Sequence, residues 1–334
     1  MTTIVIHAGM PKAGSSSIQL WLRENWKALR EHGLTLVIPT HGRGNELKFV
    51  PYEEGDVNSG WIISQLEGLS QVNREAVAAG FVDAFATAAE RFGDIILTGE
   101  AIANPFWELD ATALTALQGL SLHYAVTTAY YVRPQHAALE SAWRQTGFHS
   151  PLPPSLCIRN RGDRLQYAAT RRGVERLAPD LNFELRPFHE DWLDHGDIVR
   201  DFTDRFLGIE SSGGIWENRG LPLEIAILLR VAPTGMFVDR SYGYKRLDKV
   251  KRVLEGLNLP ENGHIALSRR VLQRYAYERF GGENAELGWG DFVPPVDSLD
   301  GIPDIEALDE LWQPKASSAE RVILFRALQV AIED

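Results

Sequence analysis

Within its first forty residues the chain passes from an apolar strand through a glycine loop into a helix and on to a second strand. No other stretch constrains the fold as much. Thr3–Ala8 (TIVIHA) is a short apolar strand, and Gly9–Gln19 (GMPKAGSSSIQ) turns it into a helix. From Ser15 the apolar residues Ile18, Trp21, Leu22, Trp26 and Leu29 recur at the spacing of one helix face. Gly33 follows the last turn, where a left-handed cap is usual, and Leu34–Pro39 (LTLVIP) reads as the next strand. A strand, helix and strand in so few residues fit a right-handed crossover between parallel strands.

The rhythm continues. Phe81, Phe85, Ala88, Ala89 and Phe92 share one face of a predicted helix over 76–92, followed by the strand Asp94–Glu100. A short helix around 109–118 leads to a strand run at His123–Pro134. A helix over Gln135–Thr146, a fifth strand at Leu181–Phe188 and a helix over Ile198–Leu207 complete the series. Strands separated by helices predict an α/β fold, with about five parallel strands flanked by helices. After Gly208 the pattern becomes helical, best at Pro222–Val231 and His264–Phe280. Phe292–Asp304 is rich in Pro, Gly and Asp and reads as a linker to an amphipathic helix over Ser318–Ile332. The expected division is a domain over 1–291, with an α/β core over 1–210 and a helical completion over 211–291. Residues 292–334 form the linker and last helix.

Composition narrows the function. The 334 residues are 44% hydrophobic and 24% charged, as in ordinary globular proteins. No apolar run approaches the ~18 residues of a membrane helix, and the N-terminus lacks the pattern of a signal peptide. One cysteine, Cys157, allows neither an intrachain disulfide nor a thiolate metal cluster. A cytoplasmic location is the expectation. The net charge of −11 disfavours nucleic acid as a partner. An acidic chain can still hold an anionic ligand where a few cations converge.

The opening loop is one such place. A glycine turn entering a helix directs backbone N–H groups at one point, and the helix dipole adds positive potential there. Ser15, Ser16 and Ser17 are expected to cap the helix and offer hydroxyls, and Lys12 supplies a full charge. Nucleotide hydrolases place the lysine after the last glycine, directly before Ser or Thr. Here Lys12 precedes Gly14.

That order, Pro11-Lys12-Ala13-Gly14-Ser15-Ser16-Ser17, resembles the 5′-phosphosulfate loop of sulfotransferases that use 3′-phosphoadenosine 5′-phosphosulfate (PAPS). Ile18-Gln19 follow as in many bacterial members. Many members have Thr at the positions of Ala13, Ser15 and Ser16; only Ala13 lacks a hydroxyl. The family's second signature, for the 3′-phosphate, is an Arg ending a strand with a Ser about eight residues on. Tyr130-Tyr131-Val132-Arg133 and Ser141 match it. Such an arginine emerges at the carboxyl end of a parallel strand and can grip a phosphate bidentately. Weaker likenesses to bacterial and carbohydrate sulfotransferases run to about residue 291.

The resemblance implies a three-layer P-loop-like fold and transfer of a sulfuryl group from PAPS to a hydroxyl. The acceptor would be a small molecule or a glycan, of carbohydrate or glycolipid-like kind, and the product 3′,5′-adenosine bisphosphate. No metal is expected. Lys12 would neutralise charge on the leaving oxygen, while Lys12 and residues Ala13, Gly14, Ser15, Ser16 and Ser17 bind the 5′ end. Arg133 and Ser141 would bind the 3′-phosphate. Glu100, at the end of the third strand, is the first candidate for general base, and His7 is its rival. Ala101 stands where some carbohydrate sulfotransferases have a lysine after such a glutamate. His41 and Arg43, beyond the second strand, are candidates to line the acceptor site. Six arginines (Arg159, Arg161, Arg164, Arg171, Arg172, Arg176) form either a basic patch or a solvated helix face. Arg159 and Arg161 stand where a loop over the adenosine is one reading. Trp107 and Trp143 are candidates for stacking on a ring or for core packing, and His136 for a structural role. A nucleotide-dependent kinase and a non-catalytic nucleotide binder stay open as alternatives. Oligomeric state is not legible.

Overall fold

A computed structural model describes residues 1–10, 13–41, 47–53, 71–99, 106, 108–146, 150–213, 223, 226–227, 263–290 and 301–313. The chain divides into two compact units, one of residues 1–134 and 164–218, the other of residues 135–163 and 219–334.

The first unit is an α/β structure around a six-stranded, mostly parallel sheet. Its strands are β1 (Thr3–Ala8), β2 (Leu34–His41), β3 (Leu47–Pro51), β4 (Asp94–Gly99), β5 (Ala125–Val132) and β6 (Asn182–Pro187). They lie in the order β3-β2-β4-β1-β5-β6. All neighbours are parallel except β2 and β3. The five predicted strands are present. β3 is an addition, an antiparallel edge strand whose last residue Pro51 sits opposite Val37. An edge is where a sheet tolerates a proline. β1 and β4 bury almost every residue, which is why they read as unbroken apolar runs.

The helices of this unit are α1 (Ser15–Glu24), α2 (Trp26–Glu31), α3 (Gln71–Phe92) and α4 (Ala111–Ser121). The single helix expected after the glycine loop is therefore two. Asn25 separates them; its backbone N–H and its side-chain amide both donate to the Trp21 carbonyl, at 3.0 and 2.9 Å, closing the end of α1. Asp110 caps α4 by accepting from the N–H groups of Thr112 and Ala113. Phe49 of β3 packs on Phe85 of α3, with ring centroids 4.4 Å apart, closing the sheet edge against the helix.

The second unit begins with α5 (Gln135–Thr146) and α6 (Pro154–Gly162). Then α7 (Tyr167–Leu177) and α8 (Ile198–Phe202) return to the first unit. A π-helical turn, Thr203–Leu207, extends α8, so the one helix expected over 198–207 changes its winding midway. Back in the second unit, α9 (Gly263–Glu286) is followed by a 3-10 turn (Ile305–Ala307) and α10 (Leu308–Leu311). Here the Trp143 and Trp312 rings meet at 4.1 Å, both fully buried. Gln135 and Asn284 exchange side-chain amide bonds of 2.8 and 3.1 Å, pinning the start of α5 to α9. Asp309 accepts from both the backbone N–H and the hydroxyl of Ser155, each at 2.8 Å. Most of the predicted helix over 222–231, much of the linker over 292–304 and the helix over 318–332 lie outside the described residues. Among the described residues, no helix is long and apolar enough to cross a membrane.

Candidate functional site

The parallel strands all finish on one edge of the sheet, and β1 finishes at its centre, between β4 and β5. The chain winds from β1 toward β2 on one side and later toward β5 and β6 on the other. The carboxyl end of β1 is therefore where the winding reverses, and open α/β sheets open a crevice for ligands at such a point. The glycine loop lies there.

Its geometry is tight. Met10 O accepts from Ala13 N at 3.1 Å, and the Ser15 hydroxyl donates to the same carbonyl at 3.2 Å. A Cβ on Gly9 would lie 2.0 Å from Ser15 Oγ and 3.2 Å from His7 Cε1. Gly14 is left-handed, with φ 78°, and a Cβ there would lie 2.4 Å from Ile198 Cδ1 and 3.0 Å from Phe188 Cε2. Space requires glycine at both positions, and at Gly14 the left-handed turn requires it as well.

Gly14, and none of the three serines, occupies the N-cap position of α1. This corrects the expected capping role. Among the described residues no side chain caps the helix, and no acidic residue stands in its first turn. Ser15 and Ser17 are buried and Ser16 is partly exposed.

Arg133 directly follows β5. Its guanidinium carbon lies 5.7 Å from the centroid of the Phe188 ring, a cation–π contact. Its carbonyl accepts from the Tyr167 hydroxyl at 2.7 Å, and that hydroxyl also lies 3.7 Å from Met10 Sδ in the loop. Phe188, just past β6, donates its N–H to Val132 O at 2.6 Å. One aromatic ring therefore touches both Gly14 and Arg133, and one phenol bridges Met10 and Arg133. Phe188, Tyr167 and Ile198 tie the loop after β1 to the end of β5. None of the three was singled out from sequence.

Ile198 is held in turn by a buried polar cluster. Tyr131 donates to Asp201 Oδ1 at 2.5 Å, the Arg186 guanidinium pairs with Asp201, and Asp194 N donates to Asp201 Oδ2 at 3.1 Å. Asp201 is fully buried, and these donors satisfy its charge. Burial, reinforced by the neighbouring Asp201 carboxylate, pushes the Tyr131 phenol up, so it stays protonated.

His7 lies in the core. It is fully buried, with Nδ1 2.7 Å from Thr98 Oγ1 of β4, and its ring meets Phe202 edge-on at 5.4 Å. Desolvation lowers its pKa to about 3, so the imidazole is neutral at ordinary pH.

Ser141 is buried on α5, in the second unit, whereas Arg133 belongs to the first. His41 ends β2, paired with Leu47. Lys12, Glu100, Arg43 and Trp107 lie outside the described residues. The six arginines divide between the units. Arg159 and Arg161 stand on helix α6, not on a loop, and Arg159 pairs with Glu306; Arg171 pairs with Glu175 at 2.8 Å in the other unit. Both pairs are exposed, the kind that adds little stability. Trp143 is a core residue.

Compared with known proteins, the chain matches no protein-family model, no curated protein and no solved structure.

Proposed function

We propose that the chain is a PAPS-dependent sulfotransferase of three-layer P-loop-like fold that acts on a hydroxyl of a carbohydrate or glycolipid-like acceptor. The observation that carries the reading is the joining of two motifs far apart in sequence. The glycine loop and Arg133 follow neighbouring strands and share contacts with Phe188 and Tyr167. The strand order, with the loop after the central strand, supports the P-loop-like assignment.

The residues present fit the donor. A helix start that, among the described residues, has no side-chain cap and no first-turn carboxylate suits a dianionic group. In this reading the N–H groups of Gly14, Ser15, Ser16 and Ser17 and the Lys12 ammonium hold the 5′-phosphosulfate. Arg133 holds the 3′-phosphate. The donor would supply an activated sulfuryl group on a phosphate leaving group. Lys12 would place positive charge where the leaving oxygen takes up negative charge, and the backbone donors would hold the phosphate in place. Glu100 takes the proton of the acceptor hydroxyl, a role worth roughly 10²–10⁴-fold. His7, sealed in the core with its pKa lowered to about 3 by burial, is too weak a base for that role.

Calorimetry with 3′,5′-adenosine bisphosphate against ATP tests the reading. Preference for the bisphosphate supports it; preference for ATP, or binding of neither, sinks it. Replacing Glu100 with Gln should leave bisphosphate affinity intact and abolish transfer, and retained turnover removes Glu100 as base.

A further inference from the structure

One buried polar atom beside the loop has no work in that account. His7 Nε2 is shielded from solvent and finds no hydrogen-bond partner among the described residues. Leaving a buried polar group unpaired costs roughly 1–3 kcal/mol, so such atoms call for a physical reason. The surroundings of the ring are specific. Thr98 Oγ1 occupies Nδ1 at 2.7 Å, while the rings of Phe202 and Tyr131 flank it at 5.4 and 6.2 Å. The Cε1 edge, which adjoins Nε2, faces Gly9, where a Cβ would lie 3.2 Å away. The same missing Cβ would strike Ser15 in the first turn of α1, whose end no side chain caps. The imidazole edge therefore lies against the backbone of the loop at Gly9.

We propose that His7 is a neutral hydrogen-bond donor built into the floor of that loop. The Thr98 hydroxyl donates to Nδ1, which fixes the proton on Nε2, and Nε2–H turns to the anion that the loop binds. The opposite tautomer would present a bare lone pair to an anion, which repels it. An N–H completes the set of donors without adding a titrating cation. Burial serves this role, because it keeps the ring uncharged whether or not an anion is present. His7 thus positions the anion and moves no proton. The inference rests on the loop being an anion site, as the sulfotransferase reading has it.

The test is ¹⁵N NMR of histidine side chains and loop amides, with 3′,5′-adenosine bisphosphate and inorganic sulfate titrated separately, and affinities measured for two variants. The expected results are an Nε2-protonated tautomer in the free protein and a shift of the His7 Nε2–H resonance that tracks the Ser15–Ser17 amides. His7→Phe should weaken anion binding about tenfold or more, and His7→Gln, which restores an N–H, should recover most of it. An Nδ1-protonated ring overturns the proposal, as does a silent His7 resonance while the loop amides move. If sulfate moves both His7 and the loop but the bisphosphate does not bind, the nucleotide reading falls and the His7 assignment stands. If neither anion moves the loop, both fall. Because the tautomer and the shift are read on the unaltered protein, poor folding of a variant does not spare the proposal.

Discussion

Substitution of Gly14 by Ala isolates what the loop demands of its last glycine. Two penalties combine. Gly14 has φ 78°, and holding an L-residue in the left-handed region costs about 1–2 kcal/mol. The new methyl would also lie 2.4 Å from Ile198 Cδ1 and 3.0 Å from Phe188 Cε2, an overpacking worth about 1–3 kcal/mol. The expected loss is about 2–5 kcal/mol, a large share of a domain's net stability. Ile198→Val removes the atom nearest the clash, and alone should cost about 0.5–1.5 kcal/mol. In the double variant the clash is eased while the backbone penalty persists. It should therefore be more stable than additivity predicts, by about 1–2 kcal/mol. Urea unfolding followed by the fluorescence of the nine tryptophans measures all three variants against the wild type. Strict additivity, or a Gly14→Ala variant within 0.5 kcal/mol of the parent, would refute the packing of α8 against the loop.

Three further outcomes are expected. His7 has a folded-state pKa depressed from 6.5 to about 3, so the unfolded chain binds its proton first; the stability this gives is full above about pH 6.5 and drains as pH falls toward 3. Unfolding titrations should lose about 2 kcal/mol more between pH 6.5 and 4.5 in the wild type than in His7→Gln, and parallel curves would show that burial leaves the ring free to charge. Arg133→Ala should weaken 3′,5′-adenosine bisphosphate binding about 10–100-fold by calorimetry, with Phe188→Leu weakening it less, since that change removes only the ring contact; equal affinities for all three proteins would place the 3′-phosphate elsewhere. Trp312→Ala should destabilise the chain by about 3–5 kcal/mol through the cavity left against Trp143, and a thermal transition within 1 °C of the parent would contradict that packing.

Much of the sheet was legible because its parallel strands are buried on both faces and announce themselves as apolar runs between helical periods. β3 was not. Leu47–Pro51 is five residues long, includes Lys48 and ends in proline, and it is a strand only because Phe49 finds Phe81 and Phe85 of α3. The helix break at Asn25 was hidden because the apolar stripe runs through it, from Leu22 of α1 to Leu29 of α2. At the site, Gly14 and Arg133 were visible as motif positions. Their link through Phe188 and Tyr167 was not, since it depends on the strand pairing that brings residues 14, 133, 167 and 188 together. The serine triplet misled in the other direction. Serines before an apolar stripe suggest a cap, but the left-handed Gly14 takes that position and turns the Ser15 hydroxyl back onto Met10.

The central place of β1 sets a timetable for making the protein. Of the strands in this sheet, the one made first is the one whose two neighbours arrive late. Ile4 pairs with Ile95 and Thr3 with Ala125, more than ninety and more than a hundred and twenty positions downstream. At roughly 5–20 residues per second, the second neighbour emerges about 6–25 s after the first strand. Until then TIVIHA is an unpaired apolar segment beside an unformed loop, and the local β2–β3 pair is the part of the sheet that can assemble without waiting. The strand that carries the candidate site is thus made before the rest of its sheet and is among the last strands to be enclosed. That interval is when a holdase has most to protect.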